Sequence, residues 1–337
     1  MAKKYRITGF ILAVVLSLIC LTFVKKDEVN VLPPIHTKLV AHQLTYIDKH
    51  NIFSNENTIK YIGHRGIGGL APENTLPAFE LAGKLGLWAA ECDVRTTSDG
   101  NWMILHDDTV DRMTDGTGKI KNLSLKKVQS LNISSGKNIM NYKGTKIPKL
   151  QDYLLTCKKW GLVAIIEMKP SDNLQYYDKF IKIIKEYGNI EKTVVISSSR
   201  TSLNELRKRD IYLPLGLICS DINSSNIYYA KALGNAFIDC STHKITSSDV
   251  TLCHENNIKV GAWTVDNVEL NNSLVKKGVD FITTNKLWLE VKKKQISVTD
   301  IGMYEVIVNG ELSILNKEEF EKLKEIEKNA KSIFYFN

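Results

Sequence analysis

The chain has 337 residues, 43% of them hydrophobic and 24% charged, a balance that excludes a disordered chain and supplies enough apolar material for a sizeable core. Lys and Arg (45) exceed Asp and Glu (37), a formal charge of +8 at pH 7 that favours anionic partners such as phosphate esters, polyanions or acidic lipid surfaces. Zinc-finger spacing, an aromatic-interleaved basic run and a helix-turn-helix signature are all missing from the sequence, which argues against nucleic acid as the partner.

The chain opens with Lys3, Lys4 and Arg6 ahead of an uncharged apolar run from Ile7 to Val24, the charge order of a signal sequence or signal anchor. The run is close to the lower length limit for a spanning helix. Around Cys20 the order Ser17-Leu18-Ile19 lacks an A-x-A-like site, so an uncleaved single-pass anchor is expected over residues 1–25. The rest of the chain would then be extracytoplasmic, or secreted if the segment is cleaved. Lys25 and Lys26 on the far flank work against this orientation. Residues 26–57 read as a polar tether containing Pro33-Pro34.

From Lys60 short β-rich runs alternate with stretches of helical period. Strands are predicted at Tyr61–Gly63, Trp88–Val94, Trp102–Leu105, Val163–Met168, Thr193–Ser197, Leu215–Cys219, Ala236–Asp239, Lys259–Trp263 and Phe281–Thr283. Helices are predicted at Thr75–Leu85, Leu174–Tyr187, Ser202–Arg209, Asn223–Leu233, Ser247–Asn256 and Asn267–Lys276. Such alternation implies βα units and a parallel sheet, and about eight units favour a (β/α)8 TIM barrel over residues 58–295. Gly66-Ile67-Gly68-Gly69 lacks the G-x-G-x-x-G spacing of a dinucleotide site.

One segment, 107–148, breaks the alternation; long loops in compact domains are usually functional, so a substrate-covering insertion is expected there. Residues 296–337 form a small C-terminal extension of open role. Its two strand-like runs, Tyr304–Val308 and Leu312–Leu315, flank the hairpin dipeptide Asn309-Gly310, and a charged helix follows over Lys317–Ala330. The five cysteines after Cys20 cannot all pair and none lies in a C-x-x-C motif, so buried free thiols are expected.

Four clusters fall where a barrel would gather them, at the C-terminal ends of strands. They are His64-Arg65-Gly66 with Pro72-Glu73-Asn74-Thr75, then Glu91-x-Asp93, then His106-Asp107, then Glu167-x-Lys169. The two-residue spacings put both side chains on one face of a strand. Singly, each cluster reads equally well as helix capping or surface charge. Jointly, three carboxylates, two histidines, an arginine and a lysine at one barrel mouth call for a metal or an anionic ligand to offset the charge.

The stretches HRGIGGLAPENTLPAF from His64, AECDVRTTSDG from Ala90 and MILHDDTVDRMTDGTG from Met103 resemble glycerophosphodiester phosphodiesterases. The resemblance spans roughly residues 59–290, with later echoes at Glu167-Met168-Lys169, Ser197-Ser198 and Trp263-Thr264-Val265. It implies a barrel, one divalent cation and hydrolysis of glycerophosphodiesters to glycerol 3-phosphate and an alcohol. It further implies Glu91, Asp93 and Glu167 as cation ligands, His64 and His106 as the acid/base pair, and Arg65 and Lys169 facing the phosphate. All-oxygen ligation suits Ca2+ or Mg2+ over zinc.

Trp263 is open to two readings, a glycerol-pocket wall or barrel core. Glu73 and Asn74 either position Arg65 or the metal shell, or the stretch simply caps a helix through Asn74 or Thr75. Thr283-Thr284-Asn285-Lys286 departs from the Thr-Asp and following Pro frequent in the family, which touches helix capping and the substrate rim and not the metal centre. A small glycerophosphodiester or a glycerol-phosphate polymer is the expected substrate, with protein partners left open. The alternatives are a lysophospholipase D or C acting on membrane lipid and a barrel without activity serving as a binding module. The second would have lost a histidine or a metal carboxylate, and neither is missing.

Overall fold

The computed structural model describes residues 58–170, 173–286, 304–308 and 311–321. The anchor and tether expected over residues 1–57, the hairpin dipeptide Asn309-Gly310 and the end of the predicted terminal helix lie outside the described residues. Among the described residues, no helix is long and apolar enough to cross a membrane.

Eight parallel strands close on themselves. In spatial order they are β1 (Lys60–Gly63), β9 (Phe281–Thr284), β8 (Val260–Trp263), β7 (Ala236–Ser241), β6 (Leu215–Cys219), β5 (Thr193–Ser197), β4 (Val163–Met168) and β2 (Ala89–Thr96). The β1–β2 pairing, Ile62 opposite Ala89, closes the ring into the expected TIM barrel. Strand β4 reads Val-Ala-Ile-Ile-Glu-Met with Ile165 and Ile166 both buried, as a strand covered on both faces requires. The outer ring includes α1 (Leu76–Lys84), α3 (Leu150–Trp160), α4 (Tyr177–Tyr187), α5 (Arg200–Arg209), α6 (Ser224–Leu233), α7 (Ser247–Glu255) and α8 (Val268–Lys277).

Local chemistry sets the helix ends. Thr75 caps α1, accepting from the Ala78 N–H, and Pro77 supplies a preset first turn. Helix α3 ends at Gly161 with φ +69°. From α3 the buried Tyr153 hydroxyl donates to the carbonyls of Ala90 and Ile165, tying the helix to β2 and β4 at 2.8 and 3.1 Å.

The predicted third strand is not a barrel stave. Strand β3 (Trp102–Ile104) pairs antiparallel with the end of β2, Ile104 opposite Val94 and Trp102 opposite Thr96. A tight turn, in which Thr97 N–H donates to the Asn101 carbonyl at 2.9 Å, sends the chain back along its own strand. Apolar alternation alone does not distinguish a stave from such a returning strand.

The segment after β3 is a packed lobe. Met103, Leu105, Val110, Met113, Ile120, Val128, Leu131, Ile133 and Ile147 form its own buried cluster, and it carries the short helix α2 (Leu125–Ser130). The C-terminal strands β10 (Tyr304–Val308) and β11 (Glu311–Leu315) pair antiparallel as the hairpin pattern predicts. Ile314 joins the main core, and the Asn138 side-chain amide donates to the carbonyls of Leu70 (3.0 Å) and Ile314 (3.2 Å). Cys92, Cys157, Cys240 and Cys253 are buried free thiols, and Cys219 is free and half-buried.

Inside the barrel an apolar plug of Ile62, Ala89, Val163, Ile165, Val194, Ile196, Phe237 and Phe281 fills the lower layers, with Trp88 stacked on Phe281 at 5.2 Å. Two residues further along its own strand, each stave points the next inward side chain above that plug. Those positions hold His64, Glu91, Glu167, Ser198, Asp239 and Thr283. The polar layer is therefore the direct continuation of the apolar one.

Candidate active site

Glu91 and Asp93 on β2 and Glu167 on β4 each offer a carboxylate oxygen, and the three oxygens lie within 4.8 Å of one another. Glu91 and Asp93 are buried. Glu91 Oε2 accepts the Arg65 backbone N–H at 2.8 Å, whereas Oε1 is buried without a protein partner. Burial, then the charges of Asp93 and Glu167, push the Glu91 carboxyl well above its ordinary range. Glu167 is raised by burial and by Asp93, against the pull of Lys169. Asp93 responds oppositely: burial pushes it up, but Lys169, Arg65 and His106 together bring it down to about 2.

The two cations are held by these acids. Lys169 Nζ lies 2.7 Å from both Asp93 Oδ1 and Glu167 Oε1. Arg65 Nη1 donates to Glu73 Oε1 at 2.8 Å, and its Nε lies 3.4 Å from Asp93 Oδ2 without a directed hydrogen bond. Both readings of this stretch have a counterpart in the geometry: Glu73 and Asn74 bond to Arg65 and Asp93, and Thr75 caps the helix. Asn74 Nδ2 donates to Asp93 Oδ2 at 2.7 Å, its Oδ1 accepts the Asp93 N–H at 3.2 Å, and the cap of α1 falls to Thr75. Gly66 lets this loop close: its φ is +89°, a Cβ there would meet Ala78 at 2.6 Å, and its N–H donates to the Glu91 carbonyl at 2.9 Å.

The two histidines arrive by different routes. His64 follows β1, and its Nδ1 lies 2.9 Å from Asn285 Oδ1. Asn285 is oriented by Asp266, whose Oδ2 accepts the side-chain amide and whose Oδ1 accepts the backbone N–H, both at 2.8 Å. With the amide nitrogen so engaged, Asn285 presents oxygen to the ring. His64 Nδ1 is therefore the donor and Nε2 keeps its lone pair. Burial, then the Arg65 charge, lower the His64 pKa from 6.5, so the ring is unprotonated at neutral pH.

His106 is delivered by the antiparallel strand β3, with the Leu105 N–H on the Asp93 carbonyl at 2.9 Å. Its Nδ1 lies 2.7 Å from Asp107 Oδ1. Asp107 is held ionised, at about 2, chiefly by Arg112, which reaches it at 2.6 Å from the inserted lobe. Arg112 also donates to Glu73 at 2.7 Å, so one guanidinium links the supports of His106 and Arg65. Arg95 Nε donates to the His106 carbonyl at 2.8 Å.

Trp263 ends β8, partly exposed, on the inner register of Gly261, with its indole N–H on the Asp239 carbonyl at 3.1 Å. The structure thus brings His64, Arg65, Glu73, Asn74, Glu91, Asp93, His106, Glu167 and Lys169 into one set of contacts and charges, whereas Trp263 is tied to Asp239. It adds Asn285, Asp266, Arg112 and Asp239. Asn285 sits in the stretch that departs from the family pattern; a neutral amide there carries His64, so that departure reaches the site and not the rim alone.

The sequence matches the glycerophosphoryl diester phosphodiesterase family over residues 64–288. It is 32% identical over 228 residues to a glycerophosphodiester phosphodiesterase of Caldanaerobacter subterraneus subsp. tengcongensis, covering 66% of this chain and 93% of that protein. Among solved structures, an Oleispira antarctica phosphodiesterase in complex with the product sn-glycerol-3-phosphate is similar at TM-score 0.64 and 26% identity, covering 67% of this chain and 92% of that one. A glycerophosphodiester phosphodiesterase from Agrobacterium tumefaciens shares the fold at TM-score 0.59 and 23% identity, over 68% and 96% of the two chains. The chain belongs to the glycerophosphoryl diester phosphodiesterase family.

Proposed function

We propose that this member of the family cleaves glycerophosphodiesters to glycerol 3-phosphate and an alcohol by cation-assisted acid/base catalysis between His64 and His106. The observation that carries the reading is two histidines, each braced through Nδ1 by an oxygen acceptor, beside three carboxylate oxygens within 4.8 Å.

Glu91, Asp93 and Glu167 fit one hard divalent cation, Ca2+ or Mg2+. The donors are all oxygens, and the unpartnered Glu91 Oε1 is an acceptor in want of a positive partner. When bound, such a cation supplies electrostatic stabilisation to charge developing on the phosphoryl oxygens. Arg65 and Lys169 face the same phosphate, held in place by Glu73, Asp93 and Glu167.

Unprotonated His64 takes the proton of the attacking oxygen at Nε2 as the new P–O bond forms. His106 in its protonated form, with Asp107 as anionic partner, gives a proton to the leaving alkoxide as the old P–O bond breaks. The attacking oxygen is that of water or of a neighbouring substrate hydroxyl, the second route passing through a cyclic phosphate that water then opens. Membrane attachment through residues 7–24 remains part of the proposal on sequence alone.

The test is a panel of glycerophosphodiesters and a lysophospholipid assayed with chelator, Ca2+ and Mg2+, with glycerol 3-phosphate as the readout. Full activity in chelator would remove the three-carboxylate site from the reading. Turnover of the lysophospholipid alone would move the substrate class.

A further inference from the structure

Asp239 stands apart from the other acids of the barrel mouth. Its side chain is 5% exposed, and Oδ1 is buried without a partner. Glu91, Asp93 and Glu167 share Lys169, Arg65 or a backbone N–H, and the described contacts give Asp239 no comparable donor. A buried carboxyl without a donor is costly, and burial together with Glu167 pushes its pKa up to about 8.

The fold keeps room for this group. Asp239 lies opposite Gly261 on β8, where an added Cβ would fall 2.5 Å from Asp239 Oδ1. Two residues back on the same strand, Phe237 belongs to the apolar plug. Asp239 is therefore in the first polar layer above the plug, on the inward face, beside Trp263, whose indole N–H is already used on the Asp239 carbonyl.

The missing partner is a donor. It is not the phosphate, which on the proposed reading is met by Arg65, Lys169 and the cation. Asp239 is also outside the group of three whose oxygens converge for a cation. Lys169 and Arg65, the cations of the carboxylate cluster, are engaged by Asp93, Glu167 and Glu73. What remains is an uncharged O–H brought in with the substrate.

The geometry points to Asp239 as the acceptor for a hydroxyl of the substrate's glycerol moiety, a contact that selects a polyol phosphate over an alkyl phosphate. This rests on the glycerophosphodiester reading above. A carboxyl keeps an acceptor oxygen in either protonation state, so the contact does not depend on titration.

The experiment measures binding of sn-glycerol 3-phosphate, propyl phosphate and inorganic phosphate to the full chain with Asp239, Asp239→Asn and Asp239→Ala, in saturating cation, alongside melting of each ligand-free protein. Asp239→Ala is expected to weaken glycerol 3-phosphate by roughly 2- to 10-fold, the range for a lost hydrogen bond between uncharged groups. Propyl phosphate and inorganic phosphate should be unchanged, and Asp239→Asn, which retains a carbonyl acceptor, should keep most of the selectivity. Both variants should melt at or above the wild-type temperature.

Equal weakening of all three ligands, no change in any, or earlier melting of both variants would overturn the assignment. A wild type that releases no glycerol 3-phosphate from the diester panel would instead sink the reaction assigned above. That result comes from turnover and is separate from the binding comparison.

Discussion

Replacing Glu91 by Gln should make the chelated protein more stable and the cation-loaded protein less so, relative to wild type. Glu91 is buried, with Oε1 unpartnered and Asp93 and Glu167 close by. An unsatisfied buried polar atom costs about 1–3 kcal/mol, more when charged. Gln keeps the acceptor for the Arg65 N–H and turns an amide N–H towards Asp93 and Glu167, so that cost is relieved. For a domain of this size each kcal/mol moves the melting temperature by about 2–4 °C, which puts the gain at roughly 2–12 °C. Wild type should recover with cation, by about 2.7 kcal/mol at a hundredfold excess over Kd, and the variant should not. The assay is thermal melting in chelator, Ca2+ and Mg2+. The pH dependence has a definite sign. A carboxyl raised in the folded state holds its proton longer there than in the unfolded chain, so chelated wild type loses stability as pH rises above 4.5 and the variant lacks this slope. Earlier melting of Glu91→Gln in chelator, with its cation response intact, would refute the reasoning.

His64→Ala and His106→Ala should each lower kcat by about 10²- to 10⁴-fold while the cation-induced rise in melting temperature is kept; near-wild-type turnover in either removes that histidine from the acid/base pair. Asn285→Ala should lower kcat on the order of 10²-fold with KM little changed, since the ring loses its orientation and no substrate contact goes with it. Steady-state kinetics showing a raised KM at unchanged kcat would instead place Asn285 in substrate binding. Because burial and Arg65 hold His64 below 6.5, the acid limb of kcat/KM should lie below that pH, and a limb above it would contradict an unprotonated His64 base.

Most of the barrel was legible because its strands are short and mostly buried, and most of its helices are amphipathic. Val163–Met168, Thr193–Ser197 and Leu215–Cys219 fall where the apolar runs place them. The antiparallel course of β3 was not legible, since a three-residue buried strand has the same pattern in either direction. Glu91, Asp93, Glu167 and the histidines stand out through short-range spacing. Asn285 and Asp266 do not: the His64–Asn285 bond spans 221 positions, and an Asn after a strand ordinarily reads as a turn residue. Asp239 was hidden for another reason. It sits in an unremarkable Phe-Ile-Asp-Cys run, and only the ring of staves shows that its side chain faces the mouth.

The two histidines depend on different levels of the fold. His106 is braced by Asp107 and Arg112, one and six positions away, beside a lobe with its own apolar cluster. His64 is braced across the seam that closes the barrel: its N–H donates to the Thr284 carbonyl at 2.8 Å, and its ring bonds to the residue after β9. The brace on the His64 ring therefore forms only once the last stave has docked against the first. Contacts of such sequence separation carry the largest loop-closure cost and come with late, cooperative assembly. Charge follows the same logic. The acids on β2 and β4 come together as soon as those strands pair, and Lys169 on the β4 side and Arg65 on the β1 side reach Asp93 from opposite flanks. A barrel open at the β1–β9 seam would keep the carboxylates and lose the brace on His64, so under the proposed mechanism turnover should report closure more directly than cation binding does.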